Sequence, residues 1–228
     1  MLNLISSTNS QIELKNSVWM FNADFSTFYS DRFDFVRFND KDEIEYLNGK
    51  GEILRKDTLE IDSKGIYKIK GNPFFKGVEF VNSTEINLVF ETEYTKNDEY
   101  QGKKDMRLNL TKLIPTKIEV DQDELSKIQI DSEWELIQPK GKRDTFSKFT
   151  QWKEIPKDEM EKAIKDSNEY RKHKKYRHLI KIEDTIIAVQ QKLDMIHSKA
   201  IVSKITDKEI ILVNHFKDNE EYILKRVN

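Results

Sequence analysis

Residues 205–227 read ITDKEIILVNHFKDNEEYILKRV, two β-rich runs on either side of a polar turn. β-Branched and aromatic side chains recur in both runs, and this composition favours strands. Four polar residues without proline, 217–220, join the runs, which suits the loop of a hairpin. We therefore predict an antiparallel hairpin between 209–216 and 221–227. We also expect its second strand to pair with the strand around Trp134, because closing a barrel removes the exposed edges of its sheet.

Three segments of the first half are matched, in the same order, by segments of the second half. The matched pairs are NSVWMF (16–21) with DSEWEL (131–136), EINLV (85–89) with EIILV (209–213), and LTKL (110–113) with LKRV (224–227). Each match alone is short, but the shared order favours the duplication of one small β unit. Two unrelated all-β domains, or one continuous sandwich, are the alternatives.

The first half is a series of short strand-like runs separated by turn residues. Asn48 and Gly49 are its strongest hairpin signal, because both central residues of a type I′ turn need a positive φ. Ile86, Leu88 and Phe90 share one side of a strand because side chains alternate along it. Strands of this length and spacing predict an antiparallel sandwich or barrel.

The run FDFVRF, in the same half, is apolar on both of its faces. Phe33, Phe35 and Arg37 are expected on one face of a strand. Val36 and Phe38 are then expected on the other face. A strand that is apolar on both faces must be covered on both, so we expect another part of the protein to pack outside this sheet.

The chain divides near Pro115, since proline limits any continuing strand. We predict a first domain over 1–115, a charged and weakly helical linker over 116–130, and a second domain over 131–228. The second domain contains the one strong helix signal, near 156–172. A proline opens that segment, acidic residues crowd its start and basic residues crowd its end, which complements the helix dipole.

The closing stretch is similar to the end of bacterial lipocalin-like domains. Residues 205–212, ITDKEIIL, follow the pattern (I/L)-T-D-x-E-(I/L)-x-L, and residues 221–226, EYILKR, follow E-Y-x-L-x-R after the polar turn. The resemblance implies an eight-stranded up-and-down barrel, whose interior either holds one small ligand or is filled by side chains. We therefore expect an all-β fold of two tandem lipocalin-like antiparallel β-barrels, the second with an inserted helix.

Composition excludes several classes of function. Of the 228 residues 35% are charged, but the net charge is only −2, so the surface does not steer the protein towards polyanions. The absence of cysteine rules out disulfides, thiol catalysis and thiolate metal sites. No apolar run approaches the ~20 residues of a membrane-spanning helix, and the N-terminus lacks a signal-like segment. We expect a cytoplasmic protein, exported only if a leader was removed from this sequence.

Sequence motifs indicate neither a catalytic site nor a metal site. The run YRKHKKYRH at 170–178 has five fixed positive charges. We interpret it as a solvated helix end rather than a nucleic-acid site, given the near-neutral total charge. The four histidines lack the spacing of a zinc site, and no nucleophile or phosphate-binding motif occurs. We therefore predict a non-enzymatic protein with no metal, no cofactor and no nucleic-acid partner.

The residues between Trp19 and Phe38 are rich in aromatic side chains, which suit either a barrel core or the lining of a ligand cavity. The candidate ligand-binding residues are Trp19, Phe21, Phe33, Phe35, Arg37 and Trp134. Arg37 has two possible roles: it meets a ligand carboxylate inside an apolar barrel, or it forms an exterior salt bridge.

We predict that the protein binds a small apolar ligand or a peptide inside a lipocalin-like barrel. The alternative is a bacterial immunity or inhibitor protein, a module whose surface caps a protein partner. A roomy cavity behind Trp19, Phe33 and Phe35 would favour the first hypothesis. A barrel filled by its own side chains would favour the second.

Overall fold

Strands make up most of the protein. The structure, a computed structural model, describes residues 14–22, 33–63, 66–72, 74–96, 99–130, 132–139, 143–193, 195–214 and 220–227. These residues form one closed barrel and one curled sheet, so the prediction of a mainly β fold is confirmed. None of the helices in these ranges is long and apolar enough to cross a membrane.

The first half forms a closed antiparallel barrel in which each strand pairs with its neighbours along the chain. Its strands are β1 (Ser17–Phe21), β2 (Phe35–Phe38), β3 (Glu43–Leu47), β4 (Ile53–Ile61), β5 (Tyr67–Lys70), β6 (Phe75–Asn82), β7 (Glu85–Lys96) and β8 (Glu99–Lys112). β1 also pairs with β8, with Trp19 opposite Lys112, and this ladder closes the barrel. The first of the two predicted barrels is therefore confirmed as an eight-stranded antiparallel barrel.

Aromatic side chains fill the interior of this barrel. Trp19 and Phe21 of β1 are buried in its core. The ring of Tyr46 lies 4.8 Å from that of Phe33 and 5.6 Å from that of Phe75, measured between centroids. Burying a large apolar side chain contributes about 1.5–3 kcal/mol. The side chains at the inward-facing positions thus form the core that stabilises the barrel.

The second half forms a curled half-barrel, here called the second sheet, rather than the closed barrel that we predicted. In spatial order its strands are β11 (Arg143–Lys148), β10 (Glu133–Ile137), β16 (Glu220–Val227), β15 (Glu209–Asn214), β14 (Met195–Ile205), β13 (Thr185–Lys192) and β12 (Lys175–Ile182), with β9 (Lys117–Ile118) parallel to β14. Within the described residues no ladder joins β11 to β12. The chain between these strands forms helices, so it supplies no strand to bridge the gap.

β15 and β16 form the hairpin predicted from the closing stretch of the sequence. Their pairs run from Glu209 opposite Lys225 to Asn214 opposite Glu220. Most of the predicted turn, 217–219, lies outside the described residues, and Glu220 already belongs to β16. On its other side β16 pairs with β10, the strand of the second tryptophan, as predicted. β16 is therefore a central strand of the second sheet.

The three repeated segments occupy matching places in the two halves. In each half the tryptophan strand pairs with the last strand, and the matched residues keep the same register. The pairs are Trp19 with Lys112 and Trp134 with Arg226, and Ile86 with Leu110 and Ile210 with Leu224. The agreement of the registers favours the interpretation that both halves derive from one small β unit.

Helices form both in the stretch predicted as a linker and in the segment predicted as a helix. The helices are α1 (Gln122–Ile130), α2 (Lys157–Lys165) and α3 (Ser167–Lys172). In the stretch 116–130, predicted as a linker, Leu125 and Ile128 are buried in the core of the second sheet. The helix predicted near 156–172 is divided at Asp166, whose extended backbone ends α2 and whose side chain caps α3.

The two halves share an apolar interface outside the barrel. Val18, Met20 and Phe35, on the outer surface of the barrel, are buried in this interface. The second sheet contributes Ile187 and Ile201 to the same cluster. The expectation that another part of the protein covers the outer face of the FDFVRF strand is therefore confirmed. The second sheet is what covers it.

Candidate functional site

The six candidate ligand-binding residues are not brought together. Trp19, Phe21 and Phe33 lie in the barrel core, whereas Trp134 lies in the core of the second sheet. Phe35 is buried in the interface between the halves, so the prediction that it shares a face with Phe33 is wrong. The reason is that β2 begins at Phe35, and Phe33 precedes the strand and does not follow its alternation.

Arg37 lies on the outer surface of the barrel and forms ion pairs there. Its guanidinium is 2.5 Å from the carboxylate of Glu45 and 3.4 Å from that of Glu183 in the second half. Although burial raises the pKa of Glu45, hydrogen bonds from Lys56 and Arg37 bring that pKa below its ordinary value. Of the two roles considered for Arg37, the exterior salt bridge is therefore the one observed.

A cleft on the inner face of the second sheet is the strongest candidate site. It has a volume of about 160 Å³. Its lining comes from six neighbouring strands of the sheet and from the segment that follows β11. The cleft is thus a property of the whole curled sheet, and it lies in the half of the chain that held only one of the predicted site residues.

Two alanines create the space in this cleft. Ala188 in β13 and Ala200 in β14 are directly opposite each other in the ladder, and both line the cleft. Two positions along each strand, Ile186 and Val202 are again opposite each other and are almost completely buried. Protein interiors otherwise pack with few voids, so methyl groups at positions where neighbours carry large side chains leave room for another molecule.

Apolar side chains form the walls of the cleft. Leu136 comes from β10, and Leu212 and Tyr222 come from opposite positions of β15 and β16. Phe149, which follows β11, is 1% exposed and also lines the cleft. Small-molecule sites are typically lined in this way, with mainly apolar side chains and a few polar groups.

One row of polar side chains crosses the cleft. Arg177 in β12 is opposite Gln190 in β13, and Gln190 is opposite Ser198 in β14. All three residues line the cleft. Burial lowers the pKa of Arg177, because the guanidinium is partly removed from water. The row therefore offers guanidinium, amide and hydroxyl donors beside an apolar space.

Lys199 is the other charged residue beside the cleft, but its side chain serves the interface between the halves. Its ammonium lies 3.2 Å from the carboxylate of Asp34 and 5.8 Å from the ring centroid of Phe35. Side chains alternate along β14, so Ser198 and Ala200 line the cleft while Lys199 points to the opposite face. Of these two charged residues, Arg177 is thus the one on the same face of the sheet as Ser198 and Ala200.

Residues 149–156, which follow β11 and form neither helix nor strand, are hydrogen-bonded to β12 and β13. The backbone N–H of Thr150 donates to the carbonyl of Arg177 over 2.7 Å. The Thr150 carbonyl accepts a hydrogen bond from Nδ1 of the buried His178 over 2.5 Å. The other ring nitrogen is 2.7 Å from the side-chain oxygen of Gln191, whose amide nitrogen donates to the Lys153 carbonyl. This network fixes the backbone of β12 beside the cleft.

The basic run at 170–178 is divided between two environments. Arg171 and Lys172, at the end of α3, are exposed, as expected for a solvated helix end. Arg177 and His178 belong to β12 instead, where Arg177 is half-buried and His178 is buried. The interpretation of the whole run as a helix end is therefore wrong for residues 175–178, because the helix stops at Lys172 and β12 begins at Lys175.

Sequence reasoning missed the cleft. The residues that form its floor belong to β-rich runs, and such runs do not reveal which face of a strand will be concave. The one available signal was the position of Ala188 and Ala200, two small residues beside large apolar ones. That signal becomes informative only once the ladder places the two alanines opposite each other.

Neither a metal site nor a known family points to a different function. In the part of the chain that the structure describes, no three histidine, cysteine, aspartate or glutamate side chains are grouped to hold a metal ion. The sequence matches no protein-family model, and no curated protein matches it either. Function must therefore be inferred from the geometry of the site itself.

Proposed function

We propose that this chain is a non-enzymatic binding protein whose second sheet holds a small, mainly apolar ligand in its cleft. The observation that carries this proposal is the cleft of about 160 Å³ above Ala188 and Ala200. The proposal keeps the ligand-binding role that the sequence suggested. It moves the site from the first barrel, whose interior is occupied by its own aromatic side chains, to the second sheet.

The volume of the cleft limits the size of its ligand. An apolar cavity of about 150 Å³ in another protein accommodates benzene, so this cleft suits one ring or a short branched chain. Leu136, Leu212 and Tyr222 supply apolar surface against which such a body packs. Each square ångström of apolar surface removed from water contributes about 25 cal/mol, which favours a compact ligand that fills the space.

Filling the cleft tests the proposal. We expect Ala200→Phe to abolish the binding of toluene and indole, two small apolar probes, because the added ring takes their place. Ligand-observed NMR measures binding, and circular dichroism verifies the fold. Ala188→Leu is a second, smaller filling in case the first variant does not fold. Thr58→Leu adds apolar volume at an exposed position of β4 and serves as the matched control. Unchanged binding in folded cleft variants would refute the proposal.

The alternative role, as an interaction module that caps a protein partner, stays a prediction. The observation that favours it is the filled interior of the first barrel, since a filled barrel can offer only its surface to a partner. Native mass spectrometry of the protein purified from its own host distinguishes the two roles. A retained small mass supports the cleft, whereas a retained polypeptide supports the interaction module.

A further inference from the structure

We infer that the ligand of this cleft is uncharged and carries a group that both donates and accepts hydrogen bonds, such as a primary carboxamide. This headgroup binds Gln190 and Ser198 while the apolar body packs over Ala188 and Ala200. The inference rests on the proposed function and adds the chemical class of the ligand. It is carried by the position of two neutral polar side chains next to the two alanines.

The polar side chains that line the cleft differ in whether the protein already uses them. Arg177 interacts with another group of the protein, and the ammonium of Lys199 is paired with an aspartate at the interface between the halves. The hydroxyl of Tyr222 donates to a glutamate carboxylate over 3.2 Å. Within the described residues the side chains of Gln190 and Ser198 form no hydrogen bond. These two side chains are therefore the polar groups that a ligand can bind without displacing an existing contact.

The ladder fixes the distance between this polar pair and the pair of alanines. Gln190 is directly opposite Ser198, as Ala188 is opposite Ala200, and each polar residue is two positions along its strand from an alanine. Residues two apart on a strand point to the same face and are about 7 Å from each other. Ser198 is exposed and the alanines are half-buried, so the polar pair lies nearer to solvent. A ligand that contacts both pairs therefore has a polar end and an apolar end about 7 Å apart.

The hydrogen-bonding groups of the polar pair select the headgroup. The amide of Gln190 has two donors and one acceptor oxygen, and the hydroxyl of Ser198 both donates and accepts. A carboxamide matches this set, because both its N–H groups and its carbonyl oxygen find partners. A carboxylate only accepts and an ammonium only donates, so either would leave part of the Gln190 amide unmatched. Either would also exchange the hydration of its charge for two neutral partners, which costs more than burying a neutral group.

Three probes of nearly the same shape test the inference on the unmodified protein. In 4-methylbenzamide the headgroup donates and accepts, in 4-methylacetophenone it only accepts, and in 4-methylbenzoate it is an anion. Dissociation constants are measured by titration of the protein's amide NMR signals. We expect the benzamide to bind about two- to tenfold more tightly than the ketone, the range that one neutral hydrogen bond confers. The benzoate is expected to bind no more tightly than the ketone.

Two variants then assign the preference to the polar pair. Gln190→Met keeps the length of the side chain but removes its hydrogen-bonding groups, so we expect the benzamide to bind no more tightly than the ketone. Ser198→Ala removes the other partner and should also weaken binding of the benzamide. Gln122→Met makes the same substitution at an exposed glutamine of α1 and is the matched control, with no expected effect. Circular dichroism verifies that each variant folds.

The possible outcomes separate this inference from the proposed function. Equal affinities for benzamide and ketone, or tightest binding of the benzoate, would overturn the inference and leave the proposed function standing. A preference for benzamide that persists in Gln190→Met would also overturn it. If toluene binds but none of the three probes does, the inference alone fails. If neither toluene nor any of the three probes binds at millimolar concentration, the proposed function fails, and the inference fails with it.

Discussion

The indole N–H of Trp19 donates to the hydroxyl of Ser17 over 2.7 Å. The indole N–H of Trp134 is buried and has no hydrogen-bond partner among the residues that the structure describes, although Ser132 precedes it at the same spacing. The hydroxyl of Ser132 instead makes a long contact of 3.4 Å with a backbone carbonyl. The Ser-x-Trp repeat therefore preserves the place of the tryptophan in its sheet but not the hydrogen bond of the indole.

This difference predicts unequal effects of removing the two serine hydroxyls. Ser17→Ala leaves the indole N–H of Trp19 buried and unsatisfied, so we expect it to lower the free energy of unfolding by about 1–3 kcal/mol. Ser132→Ala is the control and should cost clearly less, because Trp134 already lacks that bond. Urea unfolding followed by fluorescence measures both. Equal losses in the two variants would contradict the assignment.

At the scale of elements, the sequence predicted features that depend on neighbouring residues better than features that depend on residues far apart in the chain. The hairpin of β15 and β16 was predictable because composition and loop length are local properties. The turn at Asn48 and Gly49 was predictable as a hairpin but not in its type. The positive φ falls at Gly51, and the Asn48 side chain accepts hydrogen bonds from the N–H groups of Lys50 and Glu52. A side-chain hydrogen bond thus selected a longer loop than the dipeptide suggested.

Closure of the second barrel was not predictable from local signals. It depends on whether the chain between β11 and β12 supplies another strand, and the helices α2 and α3 occupy that stretch instead. The cleft could not be predicted for a similar reason, because its walls come from strands that are far apart in the sequence. Four lining residues, Leu136, Arg177, Leu212 and Tyr222, fell within segments that the sequence singled out, but those segments were interpreted as strands or as a basic run and not as parts of one site.

The central position of β16 predicts a severe effect of truncation. Deleting 221–228 removes the partner of both β10 and β15 and takes Leu224, which is fully buried, out of the core. We expect the second sheet to unfold or aggregate, and the first barrel to keep its own closed ladder. Hydrogen exchange of the two halves measures this directly. A soluble truncated protein with an unchanged melting profile would show that β16 is dispensable.

At the scale of the whole molecule, the interface joins two halves that differ in whether their inner face is filled by side chains. The first barrel is closed and filled with its own side chains, whereas the second sheet is open and contains the cleft. The outer surface of β1 and β2 is apolar where it meets the second sheet. Each half therefore covers apolar surface that the other would expose to water.

This coupling predicts that one substitution in the interface weakens both halves. Met20 is fully buried there, so we expect Met20→Ala to lower the free energy of unfolding by about 2–5 kcal/mol. Met106 is 41% exposed, and Met106→Ala is the matched control with an expected change within about 0.5 kcal/mol. Hydrogen exchange should rise in the strands of both halves. A rise confined to the first barrel would show that the halves are independent.

The alternation of side chains along β14 allows residues on its two faces to change independently of each other. Under the proposed function, Ser198 and Ala200 are constrained by the ligand, while Lys199 and Ile201 are constrained by the interface between the halves. A homologue that evolves to bind a different ligand can therefore change the residues of β14 that line the cleft without disturbing the interface. The ligand specificity of the cleft can then diverge among homologues while the packing of the two halves stays the same.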